Sequence, residues 1–176
     1  MVRCFVGIMV PDDVKASAAA LQARLASSIK CKLVEPENMH LCLSFLGEVE
    51  EGRIEDIEAK LDAVAANYKK FSVEIGKVKF VPSESYIRVV VLEAGDENGM
   101  MEKIRKDVVK AVGGDSKPPH LTLCRVKLVE DKKRFVDDFS NAACGEKFSV
   151  YELHLIKSEL KRSGPVYTVM HSSSLS

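Results

Sequence analysis

The sequence predicts an α+β protein in which helices cover the outside of mainly antiparallel sheets. Segments with the period-two alternation of strands are interleaved with segments that repeat apolar residues every three or four positions, as amphipathic helices do. The order of these segments in residues 1–83 also recurs in residues 84–176. We therefore expect a single bilobal domain over residues 1–176, made of two βαβαβ halves related by a pseudo-twofold axis, with the sheets lining a central cleft.

The first half reads as strand, helix, strand, helix and strand. Apolar and β-branched residues predict a strand over residues 3–10, and helical spacing of apolar residues predicts a helix over 13–28. The same reasoning gives the other elements of this half: a short strand at 31–34, a strand at 39–47, a helix at 53–67 and a strand at 71–80, which Pro82 and its neighbours should break.

The second half repeats this order. Its expected elements are a strand at 86–94, a helix at 98–112 ended by two glycines, a strand at 120–129, a helix at 131–143 and strands at 147–156 and 166–171. The segment Phe-Ser-Val occurs near the end of both halves, at residues 71 and 148. The last five residues, SSSLS, are expected to form a frayed tail.

Composition excludes several classes of protein. The 26 basic and 26 acidic residues balance, so no overall field attracts the chain to nucleic acid or membrane. Five cysteines without a Cys-x-x-Cys pair argue against a disulfide framework and a zinc knuckle. We expect the N-terminal apolar segment to be a first strand rather than a cleavable signal, and no run of eighteen apolar residues offers a membrane span. We expect a soluble, cytoplasmic monomer that needs no metal or other cofactor.

Two tetrads carry the functional signal. His40-Leu41-Cys42-Leu43 is followed 80 positions later by His120-Leu121-Thr122-Leu123, and the chain has only four histidines. Residues two apart on a strand share a face, so each tetrad should direct its His and its Cys or Thr to one side and its leucines to the other. The plainer interpretation of one such tetrad is a half-buried strand with its His in water. Two copies in matching surroundings favour a shared site.

A pair of imidazoles can act as an acid and a base together. With an ordinary pKa of ~6.5, one ring can accept a proton while the other donates one near neutral pH. If the pseudo-twofold brings the motif strands together, Cys42 and Thr122 would supply two hydrogen-bond donors beside the histidines. This arrangement suits a phosphodiester, whose non-bridging oxygens gather charge in the transition state.

Longer segments carry a family resemblance. They are RCFVGIMVP, HLCLSFLGEV, FVPSESYIRVVV, PHLTLCR and SELKRSGPVYTVM, which together span nearly the whole chain. The sequence resembles the 2H phosphoesterases, in particular the branch of RNA 2′,3′-cyclic phosphodiesterases, also called 2′-5′ RNA ligases. The resemblance implies a bilobal fold with a central cleft, metal-free hydrolysis of a 2′,3′-cyclic phosphate to a 2′-phosphomonoester, and RNA termini or nucleoside 2′,3′-cyclic phosphates as partners.

The resemblance also implies residue roles. His40 would be the proton donor to the departing 3′ oxygen, His120 the proton acceptor that activates water, and Thr122 a phosphate-binding hydroxyl. Arg125 matches a basic residue common in this family, but strict alternation puts it on the face opposite His120, so a bulge or strand end is needed to turn it inward. The alternative for Arg125 is a solvated surface charge. Arg88, Ser158 and Tyr167 lie in similar segments, and we assign them no role.

Cys42 departs from the family pattern, which has Thr or Ser there. We expect Cys42 to bind phosphate as a weak thiol donor. The alternative is a thiolate nucleophile beside His40, although no third residue is evident to orient that ring. Two other functions also stay open: the reverse reaction, which joins RNA ends, and a non-catalytic RNA-end binder in which Cys42 has weakened the chemistry. His154 and His171 are expected at an edge or on the surface.

Overall fold

A computed structural model describes all 176 residues and contains nine strands and four α-helices. The strands are β1 (Val2–Met9), β2 (Lys30–Leu33), β3 (His40–Val49), β4 (Phe71–Ser83), β5 (Tyr86–Gly95), β6 (His120–Leu128), β7 (Ala143–Val150), β8 (Glu152–Lys161) and β9 (Gly164–Ser174). The helices are α1 (Asp12–Ser28), α2 (Ile54–Ala65), α3 (Met100–Val112) and α4 (Lys132–Phe139), with short 3-10 turns at Pro36–Asn38 and Glu51–Arg53. The predicted α+β class is confirmed. No helix is long and apolar enough to cross a membrane.

One antiparallel sheet runs through the molecule in the order β7-β4-β5-β6-β3-β1-β8-β9, with β2 paired to β6 beside this path. At its centre, β3 and β6 pair through one residue pair, Leu41 with Leu121. Every other pair of neighbouring strands is joined by more residue pairs, for example eight between β1 and β3. The sheet therefore divides at the β3–β6 contact into two lobes, as the sequence predicts.

The lobes exchange strands between the two halves of the chain. β4 belongs to the first half but pairs with β5 and β7 of the second, and β8 of the second half pairs with β1 of the first. The two Phe-Ser-Val segments pair with each other, with Ser72 opposite Ser149. The division of the chain near residue 83 into two repeats remains a prediction, and in any case neither half builds a lobe by itself.

The core lies between the sheet and the helices. α1 contacts β2, β6 and β7, and α2 packs against α3. Leu41, Leu43, Leu121 and Leu123 are fully buried, which confirms the predicted inner face of both tetrads. The opposite face of the motif strands is thereby left to the polar members of the tetrads.

Three predicted boundaries are wrong. Residues 147–156 form two strands, β7 and β8, separated at Tyr151, because the first pairs with β4 and the second with β1. The fourth helix ends at Phe139 rather than at residue 143, because Ala143 is already the first residue of β7. β4 continues through Pro82 to Ser83, and a shift in register beside Pro82 lets its pairing with β5 resume.

The C-terminal segment is ordered rather than frayed. Ser173 is 1% exposed and donates to Asp62 Oδ1 at 2.6 Å. The Ser176 amide donates to the Tyr68 carbonyl at 2.7 Å. The serines are short polar side chains that bond to the end of α2, so the tail has partners that its composition does not reveal.

Candidate active site

Both tetrads stand at the start of their strands. β3 begins at His40 and β6 begins at His120. β3 and β6 pair at Leu41 and Leu121, the second residue of each tetrad, so the two tetrads lie side by side. All four polar side chains are partly exposed while the leucines between them are buried. The two tetrads thus present one shared polar face.

The two histidines are held in the same way. His40 Nδ1 lies 2.8 Å from the carbonyl oxygen of Asn38, and His120 Nδ1 lies 2.8 Å from the carbonyl oxygen of Pro118. A carbonyl can only accept, so Nδ1 carries the hydrogen in both rings. Each ring therefore keeps Nε2 for a substrate.

Each motif strand has a bulge at the second leucine of its tetrad. Gly7 faces Cys42 and Val6 faces Ser44, which leaves Leu43 unmatched. In the same way, β5 skips Leu123 between Thr122 and Cys124. A bulge of this kind offsets the alternation by one residue. It turns inward the fifth residue after each His, which is Phe45 in β3 and Arg125 in β6.

Side-chain donors hold the carbonyls of both bulges. Gln22 is 4% exposed, and its Nε2 donates to the Leu123 carbonyl at 2.8 Å and to the Val34 carbonyl at 2.8 Å. At the other bulge, Ser116 Oγ donates to the Leu43 carbonyl at 2.6 Å and accepts from Arg105 at 2.7 Å. These contacts fix the positions of the residues on either side of each bulge.

Replacing Gln22 with leucine should lower both stability and turnover. Leucine fits the apolar surroundings but removes the side-chain donor of the Val34 carbonyl and leaves the Leu123 carbonyl with the Val34 amide alone. We expect a cost of ~1–3 kcal/mol in the free energy of unfolding. Loss of the hydrogen bond at the bulge should also lower kcat through Arg125 and Thr122. Urea unfolding and steady-state kinetics measure the two effects. The matched control is Ser27→Ala, on the exposed side of α1; equal behaviour of the two variants would contradict the role of Gln22.

A cavity of about 300 Å³ opens on the polar face. Four of the five site residues expected from the sequence line it, namely His40, Cys42, Thr122 and Arg125. His120 does not line this cavity; it stands beside it, close enough for its charge to act on His40. The other lining residues come from four strands and from the connection between β2 and β3: Arg3, Phe5, Val34, Asn38, Phe45, Ser158, Leu160 and Tyr167.

His40 lies against two aromatic rings. Its ring centroid is 4.5 Å from that of Phe5 and 5.2 Å from that of Tyr167. Burial lowers the pKa of His40 from its ordinary value of 6.5, the bond to the Asn38 carbonyl opposes this, and the charge of His120 lowers the pKa further. The two imidazoles therefore disfavour simultaneous protonation, as an acid/base pair requires.

The Cys42 side chain is a thiol rather than a thiolate. Burial raises the pKa of Cys42 to about 11, the charge of Asp115 raises it too, and a hydrogen bond with the Ser44 backbone opposes both. At neutral pH the sulfur keeps its hydrogen and can donate it. This environment favours the donor role over the nucleophile.

Several cavity residues were not recognised from the sequence. Phe45 could have been found, because it lies 80 positions before Arg125 in the repeat. Arg3 stacks its guanidinium 4.8 Å from the Phe45 ring. Phe5 and Tyr167 have no counterpart in the tetrads and reach the site through the pairing of β1, β8 and β9.

The remaining residues singled out in the sequence divide between the cavity and the surface. Ser158 and Tyr167 line the cavity, whereas Arg88 is exposed and stacks over Tyr86. His171 contacts Asp62 at 2.8 Å, on the edge strand β9. His154 lies on the inner strand β8 rather than at an edge, and its side chain is partly exposed. No cluster of three or more His, Cys, Asp or Glu side chains has the geometry of a metal site.

The chain is similar to known proteins over its whole length. A family model described as LigT-like phosphoesterase matches residues 8–91. RNA 2′,3′-cyclic phosphodiesterases from Methanocaldococcus jannaschii and Methanothermobacter thermautotrophicus are each 30% identical to it. The alignments cover 96% of this chain in both cases, and 98% and 96% of the respective relatives.

Solved structures show the same fold. A Thermus thermophilus protein superposes with a TM-score of 0.82 at 28% identity, covering 98% of this chain and 97% of the other. Apo LigT of E. coli superposes with a TM-score of 0.77 at 21% identity, covering 99% and 98%. The bilobal arrangement expected from the resemblance is confirmed at the level of the fold.

Proposed function

Because this chain belongs to the LigT-like phosphoesterase family, whose members are hydrolases, we propose that it hydrolyses RNA 2′,3′-cyclic phosphate ends to 2′-phosphomonoesters without a metal. The observation that supports this best is the matched pair of histidines. Each Nδ1 is bonded to a carbonyl two residues earlier, so two Nε2 atoms are available at one polar face. Such a pair can take one proton and give another in a single reaction.

The proton transfers follow from these two nitrogens. Neutral His120 takes a proton from water through Nε2, and the water oxygen forms a bond to phosphorus. The bond between phosphorus and the 3′ oxygen breaks, and protonated His40 gives its Nε2 proton to that oxygen. The product keeps the phosphate on the 2′ oxygen. After the reaction His120 is protonated and His40 is neutral. Proton exchange with solvent restores the starting protonation state of both rings before the next turnover.

We propose that three side chains bind the phosphate. Cys42, Thr122 and Arg125 line the cavity with His40. A thiol, a hydroxyl and a guanidinium can all donate to non-bridging oxygens, and the guanidinium adds positive charge. Donors fixed in advance stabilise the charge that these oxygens gather in the transition state.

A nucleoside 2′,3′-cyclic phosphate offered in excess EDTA is expected to be hydrolysed to the 2′-phosphate alone. The chelator should not change the rate, because the proposed proton transfers use only protein side chains. Phosphorus NMR distinguishes the 2′ and 3′ isomers. A rate abolished by chelator and restored by one divalent ion would instead indicate a metallophosphoesterase, and tight binding without turnover would indicate an RNA-end binder.

A further inference from the structure

The cavity is large enough for the end of an RNA molecule but not for the chain that precedes it. Its volume of about 300 Å³ lies at the lower limit of pockets that enclose small ligands, roughly 300–1,000 Å³. If the proposed function holds, only the terminal nucleotide with its cyclic phosphate can occupy it. The preceding nucleotides must then cross the protein surface, and their phosphates need positive charge there.

Such charge continues directly from the cavity along β2 and β6. Lys32 pairs with Arg125, which lines the cavity. Cys31 and Val126, the next residue pair, pack against the core, so Lys32 and Arg125 point to the opposite side. The register then shifts, so that Lys30 pairs with Leu128 and Lys127 is the bulged residue between Val126 and Leu128. Lys30, Lys32 and Lys127 are all exposed beside Arg125 on these two strands.

The turn between β8 and β9 adds two further cations. It carries Lys161 and Arg162, both exposed, just before Gly164. A Cβ atom at Gly164 would lie 3.5 Å from Lys32 Nζ, so this turn lies against β2. Leu160, the residue before the turn, lines the cavity. We call the five side chains of Lys30, Lys32, Lys127, Lys161 and Arg162 the basic face.

The basic face lacks acidic partners, in contrast to the other side of the cavity. None of its five side chains forms an ion pair. Glu35 is the carboxylate beside it, 3.6 Å from the same Cβ position at Gly164. Across the cavity, Arg3 is paired with Glu48 at 4.0 Å, and exposed Glu50 and Glu51 follow. The chain has zero net charge, but its unpaired positive charge is therefore concentrated on one side of the cavity.

We propose that the phosphates preceding the terminal nucleotide of an RNA substrate bind the basic face, so that the strand leaves the cavity over β2 and β6. Unpaired surface cations attract a phosphate chain by releasing its counterions, whatever its sequence. Lys127 lies two residues beyond Arg125, ~7 Å along the strand, so successive cations follow the direction of the chain. This proposal extends the proposed function from a terminal phosphate to an oligonucleotide.

The test compares two substrates and two triple variants. The substrates are adenosine 2′,3′-cyclic phosphate and a hexanucleotide that ends in the same group. The first variant changes Lys30, Lys32 and Lys127 to Gln. The matched control changes Lys69, Lys110 and Lys133 to Gln, three exposed lysines without ion pairs that lie on or beside the helices. Arg125 is left unchanged because it belongs to the cavity.

We expect the first variant to raise KM for the hexanucleotide about tenfold, since each exposed charge contributes modestly. The salt dependence of log kcat/KM should become shallower by about 0.7 for each phosphate that the variant no longer neutralises. The mononucleotide should be hydrolysed as by the wild type. The control should leave both substrates unchanged.

Other results would overturn the proposal. Unchanged hexanucleotide kinetics would mean that the strand leaves by another route, and an equal loss on both substrates would mean that the lysines act in the cavity. If the wild type hydrolysed neither substrate, the proposed function would fail by itself. Fluorescence anisotropy with a labelled hexanucleotide 2′-phosphate would still compare the affinities of the two variants, and equal affinities would reject the basic face.

Discussion

Alanine at either His40 or His120 is expected to slow hydrolysis of a 2′,3′-cyclic phosphate by roughly 10²–10⁴-fold, the range for loss of a general acid or base. Each ring is the only imidazole of its motif strand, and each is oriented by a hydrogen bond to a backbone carbonyl. No other side chain on these strands can take its place. The fold should survive, because fully buried Leu41 and Leu121 hold the strands from the opposite face. Steady-state kinetics and urea unfolding separate the two effects.

The matched control is His171→Ala, which removes an imidazole bonded to Asp62 outside the cavity. Its turnover should equal that of the wild type. A near-normal rate in either motif variant, with the fold intact, would refute the two-histidine mechanism.

The pH dependence provides a second measurement of the same pair. One ring must be neutral and the other protonated, so a plot of kcat/KM against pH should be bell-shaped. Its two apparent pKa values belong to the coupled pair rather than to either histidine. Burial lowers the pKa of His40, which displaces the bell of the free enzyme towards acid. The negative charge of bound phosphate favours protonated His40, so the bell for kcat should lie at higher pH. A single sigmoid would mean that only one ring titrates in the mechanism.

Thr122→Ala should lower kcat by roughly 10²–10³-fold, the usual effect of removing a fixed donor to developing negative charge. Cys42→Ala should lower kcat much less, because a thiol is the weaker donor. Cys42→Thr should keep or raise kcat, since it supplies a hydroxyl and suits a strand. Thr122 and Cys42 occupy matching positions in the tetrads, so each serves as the reference for the other.

The thiolate alternative makes the opposite forecast for Cys42. Both Cys42 variants would be inactive, and an alkylating reagent would inactivate the enzyme in step with modification of this residue. The raised pKa of Cys42 argues against it, because little thiolate is present near neutral pH. Assay of the three variants on a cyclic mononucleotide decides the matter: a dead but folded Cys42→Thr would reject the donor role.

The sequence was sufficient where the information is local. Alternation in the tetrads predicts the buried Leu41 and Leu121. The repeat of the tetrad in the two halves predicts that the motif strands lie together, and they pair at these two leucines. For Arg125, the sequence could show only that a bulge is needed to turn the side chain inward. The bulge itself depends on the register with β5 and on the hydrogen bond from Gln22 to the Leu123 carbonyl, both made by distant segments.

Long-range pairing also explains what the sequence misplaced. The split between β7 and β8 comes from their different neighbours, and the ordered C-terminal serines depend on partners in and after α2. Phe5 and Tyr167 reach His40 from the first and last strands. No pattern within either segment indicates that contact.

The exchange of strands between the halves also sets when the site can form during synthesis on the ribosome. β1 is flanked by β3, which begins at His40, and by β8, which begins at Glu152. Until β8 emerges, one edge of β1 has no partner, and pairings between such distant segments form slowly. Tyr167, which packs against His40, follows His120 by 47 residues in the chain. A nascent chain that already contains both histidines therefore still lacks a wall of the cavity until β8 and β9 have been made.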